Sequence, residues 1–274
     1  MVSVPLLETI WPILKVRDTG DRPVQVYTSD FAEYICKYHR DPPTPAGKLF
    51  NEWLASHFLP IWEVPTPSIA LIRVLPEHIP SDEGRLQPIF FKTICFGSRF
   101  IKNVQPLTLF ADEDYAVQHL APDLSALLRL ILFDIWTANE DRAPGNPNVL
   151  LEWDEISRRH RFVAIDHSAM FNSNSLMFEP AQLTWEDSLL SMPLVGRLLR
   201  RHKKQLEIAE LKNRYYFCVH QSRTLLPDVV SGAPTDWNIE PKLMLGALEA
   251  RLFADDWVDE TFQYFSEYLQ QAMD

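Results

Sequence analysis

Asp141 and Asn146 stand five residues apart in the polar run Asp141-Arg142-Ala143-Pro144-Gly145-Asn146-Pro147-Asn148, and a second carboxylate, Asp166, follows in Ile165-Asp166-His167. An aspartate on a loop can orient and deprotonate an attacking hydroxyl, while an asparagine five residues on supplies a neutral oxygen to a metal. A carboxylate at the end of the next strand pair can hold a Mg²⁺ that bridges nucleotide phosphates. These groups together suit phosphoryl transfer. An Asp-x₄-Asn pair alone is weak evidence, because a polar turn explains it equally well, so its setting must carry the weight.

That setting is specific. The run from Leu124 to Ala138 is almost wholly apolar, contains Arg129 and Asp134, and ends near Asn139. Fifteen residues with two charges are too short and too polar to cross a bilayer, so it reads as a buried helix. An unpaired carboxylate inside it is costly, and Asp134 is expected to bond the backbone of the following loop in a structural role. After the loop, Val149 to Trp153 and Arg161 to Ile165 flank a charged turn, a hairpin signature that puts Asp166 at the hairpin's end. His167 reads first as a satisfied core histidine, with orientation of Asp166 as the other reading.

Upstream, Val24–Tyr27, Glu33–Tyr38, Ser68–Val74 and Pro88–Phe96 are strand-like, and Lys48–Phe58 carries Leu49, Trp53, Leu54 and Phe58 at helical spacing. Prolines 42, 43 and 45 mark a turn before that helix. Downstream of Phe171 the periodicity predicts helices over Ser188–Tyr216 and Lys242–Met273. Sheet first and helices second predict an α+β fold of two lobes, divided as residues 1–97 and 98–274.

Composition narrows the function classes. The 274 residues are 46% hydrophobic and 23% charged, enough for a full core. A formal charge of −11 makes nucleic acid an unlikely partner. The basic run Arg197 to Lys204 reads first as a solvated helix face. Cys36, Cys95 and Cys218 are widely spaced and odd in number, which suits a reducing compartment; with no basic export signal at the N-terminus, a cytoplasmic location without membrane attachment is expected. The eight glycines form neither a dinucleotide fingerprint nor a P-loop, and the zinc-protease and nucleophile-elbow motifs are missing.

The run Phe133 to Arg142, continued by Asn146-Pro147-Asn148-Val149-Leu150-Leu151 and closed by Ile165-Asp166-His167, resembles the signature of the HipA-like kinases, a family related to the phosphatidylinositol kinases. Tyr34-Ile35-Cys36-Lys37-Tyr38 resembles the strand with the ATP-binding lysine, and Leu49 to Leu54 the helix with its glutamate partner. The resemblance covers roughly residues 15 to 170. It implies a two-lobed protein-kinase-like fold: a small mixed β lobe with one helix, and a larger, mainly helical lobe.

It further implies an ATP- and Mg²⁺-dependent phosphotransferase in which Asp141 is the base, Asn146 and Asp166 bind Mg²⁺, Lys37 contacts the α/β-phosphates and Glu52 holds Lys37. Spacing favours Asn146 over Asn148 for the metal. Backbone groups of Cys95, Phe96 and Gly97, at the end of the expected strand, would pair with adenine. The implied acceptor is a Ser/Thr hydroxyl, with a small partner protein as a common companion. Three features depart from the pattern: Thr19-Gly20-Asp21-Arg22 stands where a glycine-rich loop belongs, Ala143 replaces the histidine of lipid kinases, and no Ala-Pro-Glu follows Asp166. A pseudokinase binding module and a kinase acting on a small-molecule hydroxyl therefore stand as alternatives.

Overall fold

A computed structural model describes residues 4–80, 86–109, 124–156, 158–174 and 180–274. The chain is α+β, with a sheet lobe followed by a mainly helical lobe. Strands β1 (Leu6–Glu8), β2 (Lys15–Val16), β3 (Val24–Tyr27), β4 (Glu33–Lys37), β5 (Ile69–Arg73) and β6 (Cys95–Arg99) form one sheet in the order β1-β5-β6-β4-β3-β2. Only the β1–β5 pair is parallel.

The two outer strands of that order are consecutive in sequence, and the chain between them joins the edges. Thr9 N still donates to Arg73 O of β5 at 3.0 Å, while Ile10 N donates to Tyr27 O of β3 at 3.0 Å and Leu14 N to Gln25 O at 2.9 Å. The sheet is thereby rolled into a small barrel, which satisfies backbone groups that an open edge would expose. Thr9 is buried at the seam, its hydroxyl accepting from Leu75 N at 3.0 Å. Val24, Val26, Cys36, Ile72 and Cys95 fill the interior.

Strand β4 alternates: Tyr34 and Cys36 point into the barrel, and Glu33, Ile35 and Lys37 point to the other face. A slip of one residue in pairing would bury the Lys37 ammonium among the barrel's apolar side chains, so the pattern around Cys36 sets where Lys37 aims.

The expected strand Pro88–Phe96 is corrected by the structure. Pro88 opens a 3₁₀ turn through Phe91, and β6 begins only at Cys95. The aromatics of this stretch do not alternate along a sheet; Phe90 and Phe91 pack on the Tyr38 ring instead, with centroids 5.7 and 4.8 Å away. Cys95, Phe96 and Gly97 consequently sit inside β6, which pairs with β4 on one side and β5 on the other. A Cβ on Gly97 would fall 2.2 Å from Ile72 Cδ1 and 2.9 Å from its Cγ1. Gly97→Ala is expected to destabilise the protein by about 1–3 kcal/mol through overpacking; a melting temperature equal to wild type would disprove this crowding.

Helix α1 (Gly47–Phe58) lies between the lobes and is buried on nearly every face from Leu49 to Ala55. Its apolar residues pack both ways, and Trp53 Nε1 donates to Val229 O in the helical lobe at 2.9 Å. That lobe holds α2 (Leu124–Trp136), the three-stranded sheet of β7 (Val104–Pro106), β8 (Val149–Asp154) and β9 (Arg159–Ala164), then α3 (Pro193–His202), α4 (Ile208–Ser231), α5 (Pro241–Arg251) and α6 (Asp255–Met273). The helices expected over Ser188–Tyr216 and Lys242–Met273 are each broken. A 3₁₀ turn at Lys203–Gln205 separates α3 from α4. Between α5 and α6, Leu252 and Phe253 turn inward, where Phe253 packs 5.4 Å from the Trp136 ring and Leu252 O accepts from Trp136 Nε1 at 2.9 Å. Core burial thus overrides helical continuity. Among the described residues, no helix is long and apolar enough to cross a membrane.

Candidate active site

Lys37 is the last residue of β4, Glu52 lies in α1, and Asp166 stands two residues past β9. Although 129 positions separate Lys37 from Asp166, its ammonium lies 2.6 Å from Asp166 Oδ1 and also bonds Glu52 Oε1. Glu52 Oε1 further accepts His167 N at 3.0 Å, and Asp166 Oδ1 accepts Ser168 Oγ at 2.7 Å. One α1 residue earlier, Asn51 Nδ2 donates to Ser168 O at 3.0 Å and Met170 O at 3.2 Å. Helix α1 therefore holds both the lysine and the segment that carries Asp166.

Burial disfavours charge on all three groups, yet they resolve differently. For Lys37 the two facing carboxylates outweigh desolvation and raise its pKa. For Asp166, burial is outweighed by the Lys37 ammonium and the Ser168 hydroxyl, which hold the carboxyl well below its usual range. Glu52 is buried more deeply, and desolvation pushes it up against the pull of Lys37. Lys37 and Asp166 are thus a charged pair that is partly open to solvent.

Asp141 is exposed on the loop after α2. Asn148 Nδ2 donates to Asp141 Oδ2 at 3.2 Å, whereas Asn146 Nδ2 reaches the Asp141 backbone carbonyl at 3.3 Å. Ile165 N donates to Asn148 O at 3.0 Å, which closes the β8–β9 ladder and brings Asn148 beside the entry to Asp166.

The neighbour of Asp141, Arg142, points the opposite way and is buried. Its Nε lies 2.7 Å from Asp134 Oδ2, and its other nitrogens donate to the carbonyls of Pro147, Asn148 and Ile165 and to His167 Nε2. Because a guanidinium only donates, His167 accepts through an unprotonated Nε2; burial and the Arg142 charge hold its pKa well below the ordinary value. Asp134 does serve the loop, but through side chains: Oδ1 accepts Asn139 Nδ2 at 2.9 Å and Oδ2 faces Arg142. Sequence reading missed Arg142 as the partner, although a buried carboxylate eight residues from an arginine was the available signal.

Left-handed backbone is concentrated here. Ala138, Asn148 and Asp166 have φ of 47°, 46° and 57°, and Phe171, Asn172 and Ser173 form a left-handed turn. Asn and Asp enter this region readily, but Ala138, Phe171 and Ser173 do so only when their surroundings compel it, at about 1–3 kcal/mol each. Phe171 N and Asn172 N donate to Thr137 O and Ala138 O, so the segment after Asp166 packs on the chain that leads to Asp141. The rest of that segment, 175–179, lies outside the described residues.

A cleft of about 230 Å³ opens beside Lys37 and Ser168, walled by Asp21, Arg40 and Lys48. Here the turn between β2 and β3 is fastened to α1: Lys48 Nζ lies 2.7 Å from Asp21 Oδ2, and Arg40 donates to Asp21 O. Phe96 is paired opposite Lys37 in the sheet, whereas Cys95 and Gly97 face the barrel interior. The groups that would hold Mg²⁺ are all oxygen donors, Asp166 with an asparagine amide. Among the described residues no three His, Cys, Asp or Glu side chains gather around one point. The donor set fits a hard cation that takes one or two protein oxygens and completes its shell with phosphates and water.

A sheet lobe and a helical lobe, tied by a lysine bonded to a carboxylate from each, have the organisation of a kinase. Residues 12–183, more than half of the chain, match the family described as HipA-like kinase, and the chain belongs to that family. A solved structure similar to it is the crystal structure of a Helicobacter pylori proinflammatory kinase, CtkA, with 11% sequence identity, a TM-score of 0.48 and 98% of each chain covered. No curated protein matches the chain.

Proposed function

We propose that this kinase binds ATP together with Mg²⁺ and transfers the γ-phosphoryl group to a hydroxyl, with a protein Ser or Thr as acceptor. The observation that carries the reading is the Lys37 ammonium shared between Glu52 of the sheet lobe and Asp166 of the helical lobe. In the general kinase arrangement a strand lysine held by a helix glutamate contacts the nucleotide phosphates, and a carboxylate nearby holds the metal. Lys37 fills the first role, Glu52 keeps it extended, and Asp166 is the metal-binding carboxylate. Mg²⁺, when bound, neutralises charge between the phosphates. Asp141, exposed to an incoming substrate, takes the proton of the hydroxyl as its oxygen bonds to the γ-phosphorus and ADP departs.

Asn148 is a better metal-binding amide than Asn146, because its side chain already meets the Asp141 carboxylate and its backbone lies beside the entry to Asp166. The adenine is assigned to the link after β6, from Phe100 to Asn103, because the backbone of Cys95, Phe96 and Gly97 is committed to neighbouring strands. The lobe boundary then follows Arg99, where β6 ends.

Saturating MgATP, at about one hundred times its Kd, should stabilise the protein by about 2.7 kcal/mol. For a chain of this size that raises the melting temperature by about 5–10 °C. ATP with a chelator should give a much smaller rise. No rise with MgATP would remove nucleotide binding and this reading with it. The fastened, glycine-poor turn at Asp21 favours a second reading, a pseudokinase; MgATP binding without phosphoryl transfer to any acceptor would select it.

A further inference from the structure

We propose that Arg142 is a positioning residue that sets the geometry of the two metal-binding groups, Asn148 and Asp166, through their backbone; this rests on the kinase reading above. One guanidinium reaches both sides of the site. Nη1 donates to Pro147 O at 3.0 Å and to Asn148 O at 2.6 Å, while Nη2 donates to Ile165 O at 3.0 Å and to His167 Nε2 at 2.9 Å, with Asp166 O at 3.4 Å. Asn148 and Asp166 are also two of the residues held in left-handed backbone.

A buried cation is tolerated only when paired. Asp134, from the last turn of α2, supplies the counter-charge at 2.7 Å, so this buried helix determines where the fork points. A lysine in place of Arg142 keeps the charge but cannot direct two sets of parallel N–H bonds to strands on either side. The pair therefore does for Asn148 and Asp166 what an outer-shell partner does for a metal ligand. Removal of such partners typically costs 10–100-fold in metal affinity or activity.

The test compares wild type, Arg142→Lys and Asp134→Asn as full-length chains. Each is melted without ligand, and the Mg²⁺ concentration giving half of the ATP-dependent thermal shift is then measured, alongside kcat and KM for ATP at saturating Mg²⁺. Asp134→Asn is isosteric and still presents an oxygen to Nε but leaves the buried Arg142 charge without its counter-charge, so both variants are compared below the melting temperature of the less stable one. The expected result is a Mg²⁺ half-point about 10–100-fold higher in Arg142→Lys and a smaller rise in Asp134→Asn. In both, kcat should fall with KM for ATP little changed. A lowered melting temperature with an unchanged Mg²⁺ half-point would reduce Arg142 to a core residue and overturn the proposal. A wild type without any MgATP shift would instead overturn the kinase reading, and this inference with it.

Discussion

Asp141→Asn is expected to lower phosphoryl transfer by a factor on the order of 10² to 10⁴, the usual contribution of a positioned general base. MgATP affinity should stay within about twofold of wild type, because a base acts on the proton of the acceptor. The geometry makes this a clean substitution. Asn148 donates to Asp141 Oδ2 at 3.2 Å, and an asparagine can present its own oxygen to that amide, so the loop keeps its shape while losing the group that takes a proton. Steady-state transfer to a protein substrate, or autophosphorylation, measures the rate; the thermal shift measures the binding. Equal rates in variant and wild type would show that Asp141 is not the base. Asp166→Asn should behave differently, weakening both MgATP binding and turnover.

Lys37→Met should lower transfer by at least a factor on the order of 10² to 10³, as expected when a preorganised donor to developing phosphate charge is lost. A thioether can neither contact the phosphates nor answer Glu52 and Asp166, which now face each other without the cation that Lys37 placed between them. Glu52→Gln should be milder, since its amide oxygen can still accept from both Lys37 and His167 N. Transfer assays on the two variants, each shown to be folded by its melting curve, supply the comparison. A Lys37→Met protein with wild-type rates would mean that the strand and helix of the sheet lobe have been given the wrong roles.

Much of the site was legible along the chain because it depends on local patterns. The alternation of Tyr34, Cys36 and Tyr38 against Ile35 and Lys37 is a strand's period of two, and Lys37 comes out on the face opposite Cys36 as that period requires. The spacing of Leu49, Trp53, Leu54 and Phe58 marks α1, and the prolines before it mark the turn between β4 and α1. An apolar helix, a polar loop and a hairpin likewise order Asp141 and Asp166. The strand expected over Pro88 to Phe96 was misread for a local reason as well: the stretch is apolar enough for a strand, but its aromatics find better burial on Tyr38 than in a ladder.

What the sequence by itself determined is therefore the order of the elements and which of them carry Lys37, Glu52 and Asp141. Tertiary structure alone decided the joining of the sheet's edges at Thr9, because hydrogen bonds to Arg73 and Tyr27 connect strands that share no local pattern. It also decided the direction of Arg142. Beside Asp141 in sequence, an arginine has every reason to face water; the buried carboxylate of Asp134 and the carbonyls of Asn148 and Ile165, brought together from three elements, make the interior its lower-energy place. A charge can be desolvated only where enough partners converge, and convergence is a property of the folded chain, not of any stretch of it.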